Sequence, residues 1–373
     1  MMICGIGCKK YAASPAAATT TTKTINYDSA DVYVAGTITV QLADGFTQVA
    51  AYWKDGVLTI LGDTTSSGTT PTFSSATGIA VSGNNVYVAG YIQVNNPETQ
   101  ACLWINGKEQ VLSSDSSFST ATCIALQGSN VLVAGACYDP IPTLGALEYS
   151  GHGVYWMNGI PASIPNAANI TSVAVSGQDV YFASAYDEPY VYAGNDTTGG
   201  GGVAAYWKDN GPPVLLGQPT ASASVSDLVG IAVSGQNVDA AGFGPANLSY
   251  FWANGVKTGL TQSNGNTNAA AIAISGNDVY IGGSLTNSIG YPSAVYWKNN
   301  VPVTLSTANI NGPGFSQVNA IAVNGTDVYA AGQFYNTSTG YGTVVLWVNG
   351  TAVPLGNGQG GGTTANAIYV VPK

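Results

Sequence analysis

Four carboxylates fall in two stretches of the chain that also hold its single histidine. Asp139 and Glu148 lie in ACYDPIPTLGALEYSGHG from Ala136, and Asp187 and Glu188 lie in AYDEPYVYAGNDTTGGGG from Ala185. Two carboxyl groups held about 5 to 10 Å apart across a glycosidic bond are the machinery of glycoside hydrolysis, so a pair drawn from these four could do that chemistry. His152 has no HExxH or GxSxG around it, and a histidine alone in a loop defines no catalytic group. Asp187, Glu188 and Asp196 offer oxygens to a cation, but no DxDxDG loop is present and no metal or other cofactor is expected. Gly199 to Gly202 open no helix and so cradle no phosphate; from Thr197 onward the stretch reads as a flexible loop end. The same two segments concentrate Tyr138, Tyr149, Tyr186, Tyr190 and Tyr192. Tyrosine beside Asn, Asp and Gly suits the faces and hydroxyls of a sugar as well as it suits a protein surface.

What must position these residues is a repeated unit. The chain has seven tryptophans, Trp53, Trp104, Trp156, Trp207, Trp252, Trp297 and Trp347, each in a phrase of one type such as AYWKDG or VYWKNNV. Upstream of each stands a second phrase of the type VYVAG, beginning at Val32, Val86, Val131, Val180, Val238, Val279 and Val328. In the clearest copy, AIAISGNDVYIGG from Ala271 and SAVYWKNNVPVTL from Ser293, four short apolar runs are separated by Gly- and Asn-bearing turns. Four strands in a meander, recurring at about 45 to 52 residues, predict an all-β fold, a seven-bladed β-propeller with four antiparallel strands per blade.

Strands are designated A to D from the centre outward. The A strands, such as IAV at Ile79 and IAI at Ile272, are apolar without alternation, as befits sheets covered on both faces by neighbours. The tryptophans of strand C are expected to anchor the packing between blades. Ala367 to Val371 begins an eighth copy that stops at Lys373, so the C-terminal strand is predicted to complete the first blade, with Thr24 to Tyr27 as the competing segment. The A–B and C–D turns share one face and are short and uniform. The B–C and D–A connections share the other and vary, and variable loops on a rigid scaffold are where binding concentrates. From the strand B phrase to the tryptophan, the longest intervals are those of blades three and four, from Gly135 to Trp156 and from Ser184 to Trp207. Those are the loops that hold the tyrosines, the carboxylates and His152. One irregularity is Asp239, which takes the tyrosine's place in VDAAG.

Charged residues make up 8% of the 373, arginine is absent, and the net charge is −10. Without Arg forks or Lys clusters, nucleic acid is not an expected partner. No apolar run is long enough for a membrane-spanning helix. Residues 1–23 stand outside the repeat: Gly5-Ile6-Gly7-Cys8 followed by two lysines and an Ala/Thr-rich tether reads as the remnant of a lipoprotein signal, truncated or misassigned at its start, with Cys8 the lipidated residue. The alternative is that Cys4 and Cys8 are two thiols in a tail. Cys102, Cys123 and Cys137 match no zinc spacing and read as small buried residues.

With VYVAG, YWKDG and IAISGNDVY in hand, residues 24–373 resemble the repeats of secreted or surface-anchored bacterial β-propeller proteins, many of them lipoproteins of uncharacterised function. The resemblance implies a cell-envelope or extracellular place, with membrane contact only through a lipid anchor, and transfers no catalytic residue. The expectation is a monomeric, non-catalytic surface module that binds a glycan or protein through the variable-loop face, using Tyr138, Asp139, Glu148, Tyr149, His152, Tyr186, Asp187, Glu188, Tyr190 and Tyr192. The alternative is a carbohydrate-active hydrolase or lyase working with the carboxylates of the blade three and four loops.

Overall fold

The computed structural model describes residues 29–42, 45–62, 73–95, 98–112, 118–140, 149–186, 191–193, 196–198, 202–217, 227–244, 248–261, 266–286, 290–310, 312–357 and 363–373. Each repeat folds into one four-stranded antiparallel sheet. Blade 2 comprises β4 (Ser74–Ser82), β5 (Asn85–Asn95), β6 (Glu98–Ile105) and β7 (Lys108–Val111). Blade 3 comprises β8 (Phe118–Gln127), β9 (Asn130–Pro140), β10 (Tyr149–Met157) and β11 (Ile160–Ser163). In blade 4, β12 (Ser172–Ser176), β13 (Asp179–Tyr186), β16 (Val203–Lys208) and β17 (Pro213–Leu215) make the sheet. A separate ribbon, β14 (Val191–Ala193) with β15 (Asp196–Thr198), lies in its B–C connection, so Thr197 and Thr198 belong to a strand and not to a flexible end. Blade 5 holds β18 (Asp227–Ser234), β19 (Asn237–Phe243), β20 (Ser249–Ala253) and β21 (Val256–Gly259), and blade 6 holds β22 (Thr267–Ser275), β23 (Asp278–Thr286), β24 (Pro292–Lys298) and β25 (Val301–Thr304). Blade 7 is β26 (Gly314–Asn324), β27 (Asp327–Asn336), β28 (Tyr341–Val348) and β29 (Thr351–Asn357).

Blade 1 closes the ring. Its order is β3 (Val57–Ile60), β2 (Gly45–Lys54), β1 (Ala30–Leu42) and β30 (Thr364–Pro372), so the last strand of the chain supplies strand A of the first sheet. Residues 24–27 lie outside the described residues. The closing strand runs from Ala30↔Pro372 to Thr37↔Thr364, and Lys373 ends it with an ion pair to Asp31 at 2.9 Å. Lys54 reaches the other oxygen of the same carboxylate at 3.0 Å, and the two ammonium groups hold the Asp31 carboxyl below its ordinary range.

The core lies between blades. Each of the seven seams has its own buried cluster, and each cluster contains one tryptophan, at most 2% exposed. Truncating a buried aromatic of this size to Ala costs about 3 to 5 kcal/mol.

Two devices recur within the blades. In the first, the Asn or Asp that opens the C–D turn adopts a positive φ, 48 to 53°, in every blade: Asp55, Asn106, Asn158, Asp209, Asn254, Asn299 and Asn349. Its side-chain oxygen accepts the main-chain N–H of the valine that starts the VYVAG phrase at 2.8–2.9 Å. Its own N–H donates to that valine's carbonyl at 2.6–2.9 Å, so strand C is pinned to strand B by both groups of one residue. Asn and Asp tolerate the left-handed region and supply the oxygen, which is why the position admits nothing else here.

The second device is a bulge in strand A. The pairing slips by one residue at Asn366, Thr77, Thr122, Val229, Ala270 and Asn319, opposite the Ala-Gly of strand B in five blades and Gly282-Gly283 in blade 6. The slip drives a strand A carbonyl against the glycine: a Cβ on Gly36, Gly90, Gly135, Gly242, Gly283 or Gly332 would sit 1.9 to 2.1 Å from that oxygen. Blade 4 carries Ser184 there, and its ladder accordingly breaks at Ser172↔Ala183, with the Ser184 hydroxyl taking over the contacts to Asn169 N–H and carbonyl at 3.2 and 2.6 Å.

The bulged residues also tie blade to blade. Asn319 donates to the Ala365 carbonyl, Asn366 to Ala76, Thr77 to Ala121, Thr122 to Ile170 and Thr171 to Leu228. Val229 and Ala270 have no donor, so the inner series skips the 5–6 and 6–7 seams. There the indole N–H does the work: Trp297 donates to Thr261 at 2.8 Å and Trp347 to Ser306 at 2.9 Å, while Trp252 joins Leu216 at 3.0 Å across the 4–5 seam.

Two outcomes are expected. Deleting residues 367–373 removes most of strand A of blade 1 and should open the ring, with a large fall in melting temperature and aggregation in light scattering; an unchanged transition would show that another segment completes the blade. Asn106→Ala loses the acceptor and places alanine at positive φ, so it should cost about 1 to 3 kcal/mol in urea denaturation, with Asn106→Asp recovering much of the loss.

Candidate functional site

The two faces of the ring differ in what they leave for a ligand. On the A–B and C–D turn face, one Asn or Asp of every blade is engaged in the pin just described. Blades 1, 4 and 6 add a lysine that bridges to the aspartate before strand B at 2.7 to 3.0 Å (Lys54–Asp31, Lys208–Asp179, Lys298–Asp278) and hangs over a tyrosine of strand B. In the blades without that lysine, the C–D asparagine donates its amide to the residue before strand B, as Asn106 does to Asn85 and Asn349 to Asp327.

The B–C and D–A face carries the sequence-predicted residues. Tyr138 and Asp139 end β9, and the antiparallel register sets them against Gly151 and Ser150 of β10, with His152 opposite Cys137. His152 Nδ1 approaches Asp139 Oδ2 at 3.6 Å, an ion pair whenever the ring is protonated; both are solvent-accessible, 38% and 52% exposed in their side chains. Tyr138 lies across Gly151, where a Cβ would be 2.8 Å from the ring, so that glycine is the space the ring occupies. The hairpin therefore brings Tyr138, Asp139 and His152 together as a phenol ring, an acceptor and an imidazole at the edge of blade 3.

Tyr186 is placed differently. It ends β13, bridges to Ala167 and pairs with Val203, and its half-buried ring packs on the 3–4 seam near Ile164 and Ala167. Its first duty is packing. The backbones of Tyr149 and Tyr192 are set by pairing with Pro140 and Thr197. Glu148, Asp187, Glu188, Tyr190 and Cys8 lie outside the described residues, so no carboxylate pair is measured between the blade 3 and blade 4 loops. Among the described residues no group of three or more His, Cys, Asp or Glu could hold a metal ion. Cys102 and Cys137 are buried and Cys123 is half-buried, and burial pushes the Cys123 thiol up to about 12.

Two features of this face escaped the sequence reading. One is a run of stacked rings, Tyr291, Phe315 and Tyr335, on blades 6 and 7. The other is Asp227, at the strand A position just before the bulge, which Ser75, Thr120 and Asn268 fill in other blades. Its Oδ1 is buried without a hydrogen-bond partner, as is Asn169 Oδ1 at the equivalent place in blade 4. Burial raises the Asp227 carboxyl to about 6, with a main-chain bond from Leu228 offsetting part of the cost. Asp239, 8% exposed, is raised by burial too.

The sign of the pH effect follows. Asp227 binds its proton more tightly folded than unfolded, so the penalty is absent below the unfolded value near 3.8, grows as pH rises, and is complete above about 6. Roughly two pKa units correspond to about 3 kcal/mol. Asp227→Asn should therefore raise the melting temperature at pH 7.5 and leave it nearly unchanged at pH 3.5; an equal gain at both would assign the effect to packing and not to ionisation.

No protein-family description and no curated protein matches the sequence. Solved structures do match in shape. A puromycin-hydrolyzing peptidase of Mycobacterium tuberculosis superposes with a TM-score of 0.52 at 10% identity over 86% of this chain and 53% of its own. An acylaminoacyl peptidase of Pyrococcus horikoshii gives 0.51 at 11% over 88% and 53%, and a puromycin hydrolase S511A mutant complexed with PGG gives 0.55 at 11% over 87% and 52%. The chain spans about half the length of these enzymes, and at such identities the likeness is one of fold: this is a β-propeller of seven four-stranded blades, its first blade completed by the C-terminal strand.

Proposed function

We propose that the chain is a non-catalytic binding module that takes a glycan or protein ligand on the face of its B–C and D–A connections, displayed at the cell envelope through Cys8. The observation that carries this reading is the asymmetry of the ring. One face repeats the same pin in all seven blades and adds three Lys–Asp bridges, and the other presents Tyr138, Asp139 and His152 together on an exposed hairpin. Rings for apolar sugar or side-chain faces, with an acceptor and an imidazole beside them, are recognition chemistry. The fold by itself selects no activity, since one scaffold hosts many.

The test is a glycan array and a surface-protein pull-down with the wild-type chain, repeated with Tyr138→Ala/His152→Ala. Both substitutions are on a hairpin edge, so the melting temperature should change little while affinity for the hit falls at least about tenfold, or 1.4 kcal/mol. Retained affinity would move the site elsewhere on the ring, and release of product from a glycan hit would replace binding by hydrolysis. Metabolic labelling with palmitate, lost in Cys8→Ala, tests the anchor.

A further inference from the structure

Three aromatic rings form a step from blade 6 onto blade 7 on the variable-loop face. Tyr291 comes from the B–C connection of blade 6, one residue before β24; Phe315 is the second residue of β26; Tyr335 is its direct partner on β27. Tyr291 and Phe315 have centroids 6.2 Å apart at 15°, and Phe315 and Tyr335 have centroids 4.9 Å apart at 22°. Parallel rings touch at about 3.5 to 4 Å, so at a 6.2 Å centroid separation the first two do not cover one another fully. Tyr291 is 48% exposed, and Tyr341, opposite Asn336 at the start of β28, is 52% exposed.

Packing does not call for this arrangement. The core residue of the β27 end is Phe334, 3% exposed, which points to the opposite side of the sheet from Tyr335. Tyr291 reaches over from another blade and remains half in water. An offset pair is worth about 0.5 to 1.5 kcal/mol beyond its burial, a small return for the apolar area left out.

The charge pattern selects among ligands. From Leu260 to Gly350 the sequence contains only three charged residues, Asp278, Lys298 and Asp327, and all three are held on the opposite turn face, by the Lys298–Asp278 bridge and by the Asn349 amide. What surrounds the step is neutral: Asn336 with Thr337, Ser338 and Thr339 in the β27–β28 turn, and exposed Asn268 on β22. Within that stretch of blades 6 and 7 a phosphorylated or acidic ligand finds no cation on this face, and a basic one finds no carboxylate. Aromatic faces for C–H surfaces, ringed by amides and hydroxyls for hydroxyl groups, fit a neutral saccharide chain.

We propose that the Tyr291–Phe315–Tyr335 step is a binding site for a neutral oligosaccharide. It shares the loop-face reading above but occupies different blades from the Tyr138–His152 hairpin. Affinity electrophoresis through gels containing a β-glucan, a mannan, a xylan, a soluble starch or, as the acidic control, an alginate tests it. The wild-type chain should be retarded by at least one of the four neutral polymers, with retardation unchanged in 0.5 M salt and no effect of alginate. Tyr291→Ala should weaken that interaction at least about tenfold and Tyr291→Phe should keep it, because the ring face and not the hydroxyl makes the contact. The melting temperature, set by the seams, should be the same in both. No retardation by any neutral polymer overturns the proposal. So does retardation that survives Tyr291→Ala, or capture of a protein that depends on Tyr291 without saccharide binding. If the Tyr138→Ala/His152→Ala variant alone loses the polymer, this proposal fails while the loop-face reading stands; if neither variant changes binding, both fail.

Discussion

The structure depends on one small interaction made seven times: an Asn or Asp in the left-handed conformation that accepts the N–H and bonds the carbonyl of a single valine on the neighbouring strand. It fixes the C–D turn, the start of strand B and the A–B turn relative to one another before any blade meets its neighbour. The C–D hairpin residue must enter the αL region to reverse the chain, and only a residue with a short side-chain oxygen can do so and reach across at once. Because the pin is local in sequence, spanning 16 residues in blade 5 and up to 29 in blade 4, each repeat can set its register independently. The identity of the residue before strand B then follows from what lies opposite. Asp31, Asp179 and Asp278 face a lysine at the end of strand C, while Asn85, Asn130 and Asn237 face Ile105, Met157 and Ala253 with only an amide to receive. Asp327 is the exception, an aspartate served by Asn349 alone.

The second constraint is steric, and it explains an irregularity that composition would leave arbitrary. Strand A must slip by one residue to curl its inner end toward the axis, and the slip pushes a carbonyl to within about 2 Å of where a Cβ on strand B would be. Glycine answers this in six blades. Blade 4, with Ser184, interrupts the ladder there: a hydroxyl bonds Asn169 in place of the main chain, and pairing resumes at Ala168 and Ala167. The same exchange shortens strand A of that blade to Ser172–Ser176. It also leaves Asn169 with an unpartnered oxygen, next to the blade where Asp227 has one too.

Blade number, strand order, the closing strand and the tryptophan core were all legible from the sequence, because each is written as a periodic phrase with a turn signal between runs. The Asn and Asp of both turn types were legible as turn formers, but the lysines that divide Asp from Asn were not, since strand C ends on Lys54 in one blade and Ile105 in the next without changing the phrase. Loop length drew attention to blades 3 and 4 and did place Tyr138, Asp139 and His152 on one hairpin. It said nothing of blades 6 and 7, where the rings come from a short connection, a strand start and a strand end. Tyr291, Phe315 and Tyr335 occupy no common repeat position, and only the seam brings them together. Tyr186, from the same loops, also packs on the 3–4 seam, because the residue two beyond Ser184 faces the neighbouring blade.

How the seams are tied shows how a ring of repeats absorbs substitutions. A threonine or asparagine at the bulge closes the inner rim from the 7–1 seam round to the 4–5 seam, and where Val229 and Ala270 break that series, an indole N–H finds a carbonyl further out. Trp53, Trp104, Trp156 and Trp207, at four of the five seams with an inner tie, leave their indole nitrogens unpartnered and buried, whereas the 4–5 seam has both ties. An orphaned buried donor costs about 1 to 3 kcal/mol, and one bond from a bulge residue returns about 1 kcal/mol, so neither tie alone decides a seam. The apolar cluster around each tryptophan does, and the tryptophan itself is at most 2% exposed all the way round. A ring held by equal apolar seams tolerates hydrogen bonds that migrate from rim to periphery, and it tolerates divergent loops for the same reason: the contacts that close it are not made by the loops. That freedom lets one face differ from blade to blade while the other repeats a single pin.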